Sequence, residues 1–262
     1  MGNKGEKMKI SIITATFNSA KTLSQTLESV LKQTYHDYEH IIVDGLSKDN
    51  TMEIVKQYEA KYNGKLKYIS EKDTGIYDAM NKGIKMATGD VIGILNSDDI
   101  YANEKVLQTI VDKFEKTNCD GTYANLIFMD EETMSKPKRI WKSPYGKLEN
   151  GWHPAHPTLY LKKEVYDKIG LFNLKYRIVA DYDFMIRVMK DKNIKLEYID
   201  EYIVYMRVGG TSTAGLKGYI KNLKESHIAL KDNKIKNPTI VDIKRIFRTM
   251  KQMIIKNKRK IQ

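Results

Sequence analysis

Short runs rich in Ile, Val and Leu alternate with amphipathic segments through the first hundred residues. The apolar runs lie at 9–16, 38–43, 66–70 and 90–95, and the amphipathic segments lie at 19–33, 49–60 and 76–87. The runs have the length of buried strands, and the segments between them repeat apolar residues at helical spacing. This alternation predicts an α/β fold with a single doubly wound, mostly parallel sheet flanked by helices.

The chain is less regular beyond residue 100. We expect helices at 103–116 and 181–190, strands at 122–129, 139–142 and 158–161, two short strands within 194–206, and a loop at 145–157. A length of 262 residues suits one large domain with an appendage. The predicted divisions are a flexible extension at 1–7, a domain at 8–213 with halves 8–100 and 101–213, and a basic helical tail at 214–262.

The net charge of +12 is concentrated in the tail, where 14 Lys and Arg face 3 Asp and Glu, against 31 and 30 in the rest of the chain. The tail is predicted to form two amphipathic helices, the second beginning at Asn237-Pro238. An apolar stripe follows, formed by Ile240, Ile243, Phe247, Met250 and Ile254, with Lys244, Arg245, Arg248 and Lys251 around it. A basic tail binds a polyanion, either nucleic acid or an anionic membrane surface, and the stripe favours the membrane.

Composition narrows the cellular setting. The single cysteine, Cys119, excludes a disulfide framework and suits a reducing cytosol. No apolar stretch approaches the ~20 residues of a membrane-spanning helix, and the first residues contain no apolar signal region. We therefore expect a cytoplasmic protein held peripherally on the inner face of the plasma membrane by its tail.

The string Asn96-Ser97-Asp98-Asp99 follows the last of the four apolar runs. Open α/β sheets bind ligands at the carboxyl ends of their strands. Adjacent carboxylates there suit Mg²⁺ or Mn²⁺ shared with substrate phosphates, although Asp pairs also begin turns. The string alone therefore favours, without requiring, a metal-assisted enzyme that acts on a phosphate-bearing substrate.

Other strand ends bring polar groups to the same edge. The first run ends in Thr14, Thr16 and Phe17, and small hydroxylated residues there leave room for a ligand. The second run ends in Asp44, which either accepts a hydrogen bond from a base or serves as a turn carboxylate. Tyr77, just after the third run, could stack on a base.

These motifs, in this order, resemble the family 2 glycosyltransferases, which are inverting enzymes of the GT-A fold. The resemblance spans about residues 8–212. It is carried by Ser11-Ile12-Ile13-Thr14, Phe17-Asn18, Val43-Asp44-Gly45, Gly75, Ala79, Asn81, Gly83, Ala87-Thr88-Gly89-Asp90 and Asn96-Ser97-Asp98-Asp99. The string from Asp73 to Gly83 is most similar to the bacterial branch that builds exopolysaccharide, capsule and colanic-acid-type glycans.

The resemblance implies a nucleotide-sugar donor, with uridine the favoured base, a divalent Mn or Mg ion, and hexosyl or N-acetylhexosaminyl transfer to a glycan or polyprenyl-linked acceptor. It assigns base reading to Asp44, and the ribose and the metal to Asp98 and Asp99. The other implied donor contacts are Thr14, Thr16, Phe17, Asp73, Asn81 and Arg207. Many members carry Arg where Met80 stands, so the phosphate-facing cation must come from Lys82, Lys72 or Arg207.

Inverting transfer needs a general base on the acceptor side. The segment 179–187 contains Asp181 and Asp183 at the start of a predicted helix, where the helix dipole favours negative charge and where Asp181 could also act as a cap. The resemblance implies that Asp181 is the base, with Asp183 as the alternative. It also implies an acceptor contact for His156, and Trp152 could stack on a sugar ring or lie in the core.

Two other classes of function compete with the transferase. One is a metal-dependent nucleotidyltransferase, which would need a Gly-rich, basic triphosphate loop that the sequence lacks near Thr14. The other is a non-enzymatic basic adaptor that binds nucleic acid or a membrane through its tail, which leaves the ordered carboxylates unexplained. We therefore predict the transferase and expect no nucleic-acid partner.

Overall fold

The computed structural model describes residues 7–209 and 215–254, with the side chains of 215–217 and 253–254 excepted. The predicted extension at 1–7 therefore lies almost entirely outside the described residues. So do residues 210–214, which follow the implied donor contact Arg207 closely in sequence, and the end of the predicted tail.

The described residues form one nine-stranded sheet with helices on both faces. The strands are β1 (Ile10–Thr16), β2 (Tyr38–Asp44), β3 (Leu66–Ser70), β4 (Val91–Ile94), β5 (Ile100–Tyr101), β6 (Gly121–Met129), β7 (Pro137–Trp141), β8 (Tyr160–Lys162) and β9 (Leu196–Arg207). The helices are α1 (Leu23–Leu31), α2 (Thr51–Glu59), α3 (Ile76–Met86), α4 (Val106–Thr117), α5 (Lys163–Ile169), α6 (Ala180–Lys190), α7 (Gly215–Asp232) and α8 (Pro238–Ile254).

The sheet is mixed, which corrects the prediction of a mostly parallel one. Its order is β3-β2-β1-β4-β8-β6-β9-β5, and β7 pairs with β6. The strands β1 to β4 are mutually parallel, as the alternation predicts, but β8 runs antiparallel to both β4 and β6. The carboxyl ends of β1 to β4 therefore meet at one edge of the sheet. The residues that face this edge come from the second half of the chain.

The first half follows its apolar pattern closely. Every residue of β1 and β2 is buried, as expected for strands covered on both faces. α3 packs tightly on this sheet, because a Cβ atom at Gly83 would lie 2.4 Å from Ile13 Cγ2. That close approach directs the first turn of α3 to the carboxyl edge.

The second half departs further from expectation. The predicted pair of strands within 194–206 is one twelve-residue strand, β9, whose pairing with β6 is irregular around Asn125. The sequence pattern also missed the short elements β5 and α5. Short elements are stabilised by tertiary pairing and leave little periodicity.

The predicted tail is packed against the domain rather than hanging from it. Ala229 and Leu230 of α7 and Val241 of α8 are buried in the same core cluster as Phe184 of α6. Asn233, which follows α7, donates a 2.7 Å hydrogen bond to the carboxylate of Asp183. Both tail helices are therefore structural parts of the acceptor half.

Candidate active site

The carboxyl ends of β1 to β4 form what we call the donor edge, comprising residues 16–17, 44–47, 73–75 and 98–99. Two residues of β1 play different parts beneath it. The Thr14 hydroxyl donates to Leu95 O at 2.7 Å and lies 2.9 Å from His40 Nε2, so this buried side chain braces the sheet. The Thr16 hydroxyl is buried without a hydrogen-bond partner among the described residues.

Asp44 lies behind the edge. Its carboxylate is fully buried and accepts hydrogen bonds from the Ser47 backbone, the Ser47 hydroxyl and the Ser70 hydroxyl. These bonds fix the loop after β2, in which Leu46 has a positive φ of 62°. Both oxygens of the Asp44 carboxylate thus hold the loop after β2, and base reading by Asp44 stays a prediction.

Phe17, Gly45 and Asp73 converge in front of Asp44, and we call this group the slot. A Cβ atom at Gly45 would lie 2.5 Å from Asp73 Oδ2 and 3.4 Å from Phe17 Cδ2, so these three residues converge. The Phe17 side chain is 60% exposed and Leu46 is 48% exposed. Asp73 Oδ1 accepts from the Gly75 backbone at 2.9 Å, while Oδ2 has no hydrogen-bond partner within the described chain. The slot therefore combines an aromatic face with an available carboxylate oxygen.

The acidic pair after β4 is divided between surface and interior. Asp99 is fully buried and accepts from the Asn96 amide at 2.8 Å and the Arg207 backbone at 3.2 Å. Burial, with a smaller contribution from Asp98, raises the pKa of Asp99 well above its ordinary value. Asp98 is partly exposed, and among described residues its carboxylate accepts only from its own backbone N–H. Asp98 is thus the carboxylate of the pair that an incoming ion can reach.

The carboxylates at the donor edge fit a divalent ion only if the substrate supplies further ligands. The described residues contain no group of three or more His, Cys, Asp or Glu that could hold a metal by themselves. One or two carboxylates completed by phosphate oxygens is the usual arrangement for Mg²⁺. The residues therefore fit an ion that binds together with a nucleoside diphosphate.

Two of the three candidate phosphate-facing cations, Arg207 and Lys82, are engaged elsewhere. The buried Arg207 guanidinium donates to Asp98 O, Glu131 O and Gln25 Oε1, so it holds the acidic loop from below. Lys82 Nζ forms a 2.8 Å ion pair with Glu71 and donates to Lys72 O. The structure thus places the Arg207 guanidinium against the acidic loop, and its contact with the donor diphosphate stays a prediction.

Asp181 lies at the start of α6, opposite the donor edge. The Tyr77 hydroxyl lies 2.9 Å from Asp181 Oδ1 and 2.7 Å from Ile178 O. Tyr77 belongs to the first turn of α3 and its ring is buried, so it is unavailable for the predicted stacking on a base. It instead connects the donor edge to the candidate base.

Asp183, the alternative base, is bound internally. Its carboxylate pairs with Arg187 Nε at 3.0 Å and accepts from Asn233, and it is almost completely buried. Arg187 in turn donates to the carbonyls of Ile169 and Leu171. Asp183 thus fixes α6, whereas Asp181 is partly exposed with only Tyr77 as a hydrogen-bonding neighbour in the described chain.

Two predicted contacts turn out to be parts of the core. Trp152 is 4% exposed and packs edge-on against Tyr123, with the backbone of Gly146 against its ring, so it presents no face to a sugar. The Asn81 amide donates to Phe172 O and accepts from Phe172 N, both at 2.9 Å. Asn81 therefore joins α3 to the loop before α6, and its amide group faces Phe172 and not a nucleotide-sugar site.

The surface around Asp181, which we call the acceptor wall, comprises Asp181, Tyr182, His153, His156 and Arg245. His156 packs edge-on against Phe172, and burial lowers its pKa. The His153 ring lies 5.1 Å from that of Tyr182, and its Nδ1 lies 2.9 Å from Pro154 O. Burial and the charge of Arg245 lower the pKa of His153 to about 4. The neutral ring therefore donates from Nδ1 and keeps Nε2 as an acceptor.

Sequence reasoning missed Tyr182 and the inward role of Arg245. The Arg245 guanidinium lies 4.6 Å above the Tyr182 ring, and the Tyr182 hydroxyl is buried without a partner among the described residues. The available signal was helical spacing. Val241, Arg245 and Arg248 recur at four and three residues and thus share one face of α8.

The apolar stripe of α8 lies on the opposite face. Four side chains of the stripe are about half exposed or more, with Phe247 at 60%: Ile240, Ile243, Phe247 and Met250. The side chain of Ile254 is not among those that the structure describes. Among the described helices, none is both long enough and apolar enough to cross a bilayer.

Comparisons with known proteins agree with this geometry. The model of the family described as "Glycosyl transferase family 2" matches residues 11–185. A "PGL/p-HBAD biosynthesis glycosyltransferase" of Mycobacterium tuberculosis is 29% identical over 221 residues, covering 82% of this chain and 84% of that protein.

Solved structures share the fold at low sequence identity. S. aureus TarS 1-349 in complex with UDP-GlcNAc superposes with a TM-score of 0.69 at 19% identity, covering 93% of this chain and 73% of that one. The chain spans 44% of a longer TarS chain. The mannosyltransferase PcManGT from Pyrobaculum calidifontis, in complex with GDP-Man and Mn2+, gives 0.68 at 15% identity, covering 92% and 70%.

Proposed function

The chain belongs to glycosyl transferase family 2, and on that premise we propose that it transfers a hexosyl or N-acetylhexosaminyl group from a UDP-sugar to a hydroxyl of a glycan or lipid-linked acceptor, with inversion, in bacterial surface polysaccharide synthesis. The observation that carries the proposal is the exposed Phe17 ring beside the Asp73 carboxylate at the donor edge, together with Asp181, which Tyr77 joins to that edge by a hydrogen bond. The UDP-GlcNAc complex of TarS supports the donor class.

The base of the donor occupies the slot formed by Phe17, Gly45 and Asp73. Phe17 offers an exposed ring for stacking, and Asp73 Oδ2 accepts the N3–H of uracil. Asp44 acts from behind by holding the loop that carries Gly45. We therefore assign base recognition to Asp73, whose carboxylate oxygen is available. The family resemblance assigns it to Asp44.

Asp98 holds a Mn²⁺ or Mg²⁺ ion jointly with the donor diphosphate, with Asp99 behind it. The PcManGT complex with GDP-Man and Mn2+ supports this cofactor. The ion supplies positive charge that stabilises the departing nucleoside diphosphate. Arg207 keeps the acidic loop in place through Asp98 O and the Asp99 carboxylate.

Asp181 removes the proton from the acceptor hydroxyl. The acceptor oxygen forms a bond to the anomeric carbon as the bond from that carbon to the diphosphate breaks on the opposite face, and UDP leaves with the bonding electrons. Tyr77 serves both states of the base. Before transfer, the Tyr77 hydroxyl donates a hydrogen bond to the Asp181 carboxylate. Once Asp181 is protonated, the same hydroxyl donates to Ile178 O instead.

The tail positions the enzyme at a membrane surface. The exposed stripe of Ile240, Ile243, Phe247 and Met250 faces away from the domain and has the character of an interfacial helix. The basic residues of the tail attract anionic lipid, at about 1 kcal/mol for each residue near the surface. A lipid-linked acceptor would be met at this surface.

The test is calorimetric titration of UDP, GDP and dTDP into the full chain with and without Mn²⁺. Metal-dependent binding of UDP is expected, with release of UDP rather than pyrophosphate on turnover. Pyrophosphate release would favour a nucleotidyltransferase. Absence of nucleotide binding by folded protein would contradict the proposal and turn attention to a basic adaptor.

A further inference from the structure

Arg245 is a largely buried charged side chain with one loose ionic partner. The side chain is 12% exposed, and its guanidinium lies 4.6 Å above the Tyr182 ring. The nearest carboxylate oxygen, Asp242 Oδ1, is 3.8 Å from Arg245 Nη2, beyond hydrogen-bond distance, and has no hydrogen-bond partner among the described residues. The other Asp242 oxygen lies 2.8 Å from His227 Nδ1. Asp242 therefore offsets the charge of Arg245 only in part.

Two further arginines lie on the same side of the molecule. α8 packs against β7, which carries Arg139. The Arg139 guanidinium lies 3.8 Å above the Phe128 ring, its Nε is buried without a partner in the described residues, and burial lowers its pKa to about 10. Arg248, on the Arg245 face of α8, is partly buried with no hydrogen bond recorded in the described chain, and burial lowers its pKa.

A continuous run of rings joins these arginines to the candidate base. Trp141 lies 5.6 Å from the Arg139 guanidinium and 5.2 Å from the His153 ring, which in turn contacts Tyr182. The charges of Arg245, Arg248 and Asp181 all act on His153. Arg245 and Arg248 therefore border His153, beside the surface where the acceptor hydroxyl must be deprotonated, and Arg139 lies one ring further along the same run.

Desolvated guanidinium groups without a close counterion are costly, and a bound anion removes that cost. Guanidinium donors form a fork that matches phosphate oxygens bidentately. The three positive charges outnumber the two nearby carboxylates, Asp242 and Asp181, and this excess suits a phosphate or diphosphate better than a single sugar carboxylate. The apolar face of α8 lies on the other side of the same helix, so a lipid-borne phosphate would reach these arginines from the membrane surface.

Resting on the proposed function, we propose that Arg139, Arg245 and Arg248 bind a phosphate group of the acceptor and so orient its hydroxyl toward Asp181. The acceptor is then a phosphorylated glycan or a lipid-linked sugar phosphate, and both present the same group to the arginines. α8 thereby forms part of the substrate site as well as the membrane-facing surface.

The experiment titrates three probes by calorimetry into the full chain saturated with UDP and Mg²⁺, so that the donor phosphate site is filled. The probes are decyl phosphate, inorganic phosphate and the uncharged decyl maltoside. Arg245→Gln and Arg248→Gln are compared with Lys251→Gln, which removes one charge from an exposed position of the same helix. Thermal melts verify that each variant is folded.

We expect wild type to bind the phosphate probes, each arginine variant to weaken that binding about tenfold, and Lys251→Gln to stay within about twofold. Decyl phosphate binding far more tightly than inorganic phosphate supports a lipid-linked acceptor, and comparable binding supports a soluble phosphorylated glycan. Three results would overturn the site: no phosphate binding to UDP-saturated wild type, equal weakening in Lys251→Gln, or decyl maltoside binding as tightly as decyl phosphate.

UDP is titrated first and tests the donor function by itself. Phosphate binding that depends on the arginines in a protein that binds no UDP would leave an anion site but refute its assignment to an acceptor. UDP binding without arginine-dependent phosphate binding would refute the inference and leave the proposed function standing.

Discussion

The donor edge and the acceptor wall are assembled in different ways. At the donor edge, Asp44 is the last residue of β2, and Asp73 and Asp98 lie in the loops after β3 and β4, all within the first hundred residues. Asp44 is saturated by hydroxyl and backbone donors close by. On the acceptor side, Asp181 and Arg245 come from helices far apart in sequence, and the Tyr182 hydroxyl has no partner among the described residues.

The difference follows from what each wall must accommodate. A fixed ligand such as a nucleoside diphosphate suits a preorganised edge whose loops are already hydrogen-bonded. Both regions keep a hydroxyl without a partner among the described residues, that of Thr16 at the donor edge and that of Tyr182 on the acceptor wall. The acceptor wall differs because it takes its residues from the second half of the chain and from the tail helix α8.

The largest expected effect tests the division of labour on α6. Asp181→Asn should lower kcat by about 10²–10⁴-fold, the usual contribution of a general base, while UDP affinity stays within about twofold. Asp183→Asn should instead weaken the ion pair with Arg187 and lower thermal stability. Steady-state kinetics, UDP calorimetry and thermal melts of both variants provide the measurement. Full activity of Asp181→Asn, or loss of its UDP binding, would contradict the assignment.

The next effect tests which carboxylate at the donor edge contacts the base. Asp73→Asn should weaken UDP binding about tenfold or more and reduce the preference for UDP over CDP, because an amide can donate to cytosine N3. Asp44→Asn should mainly lower the free energy of unfolding, by about 1–3 kcal/mol, since it sets an amide against the Ser47 and Ser70 donors. An unchanged UDP preference in Asp73→Asn would return base reading to Asp44.

The sequence predicted the donor edge well because its determinants are local. Strands buried on both faces produce continuous apolar runs, and polar residues just after each run must lie at the carboxyl edge. That logic placed Asp98 and Asp73 at the edge. It could not predict that the Asp44 carboxylate is buried, because Ser70 reaches it from β3, which pairs with β2.

The acceptor wall was harder to predict because tertiary contacts build it. Trp152 is an equally good core residue or sugar platform by sequence, and only the packing of Tyr123 and Gly146 decides for the core. The apolar stripe of α8 and the basic residues around it predicted a helix that binds a membrane surface outside the domain. Gly151 has a positive φ of 66°, and a Cβ there would lie 2.3 Å from the Arg245 backbone N, so a loop glycine brings α8 onto the domain.

Tyr77 is the direct link between the two walls, and its removal should have an intermediate effect. Tyr77→Phe should lower kcat roughly tenfold, because a hydrogen bond to a charged group contributes about 1.5–3 kcal/mol, with little change in UDP affinity. Tyr58→Phe is the matched control, since it removes a 2.9 Å hydrogen bond to Glu28 far from the site. A loss that appears in UDP affinity, or equally in both variants, would refute the link.

The smallest effect tests the electrostatics of the acceptor wall. His153 has a pKa of about 4, lowered first by burial and then by the Arg245 charge. Arg245→Gln should raise this pKa, as measured by NMR titration of the imidazole, while Arg245→Lys, which keeps the charge, should remain nearer to wild type.

A neutral imidazole whose folded pKa is depressed costs stability as pH falls below about 6.5, the usual unfolded value, because the unfolded chain then binds the extra proton. Because Arg245→Gln raises the folded pKa of His153, it should also narrow the pH range below about 6.5 over which the free energy of unfolding falls. If Arg245→Lys raises the pKa as much as Arg245→Gln, packing over Tyr182 and not charge controls His153, and the cationic character that separates this wall from the donor edge would lose its main support.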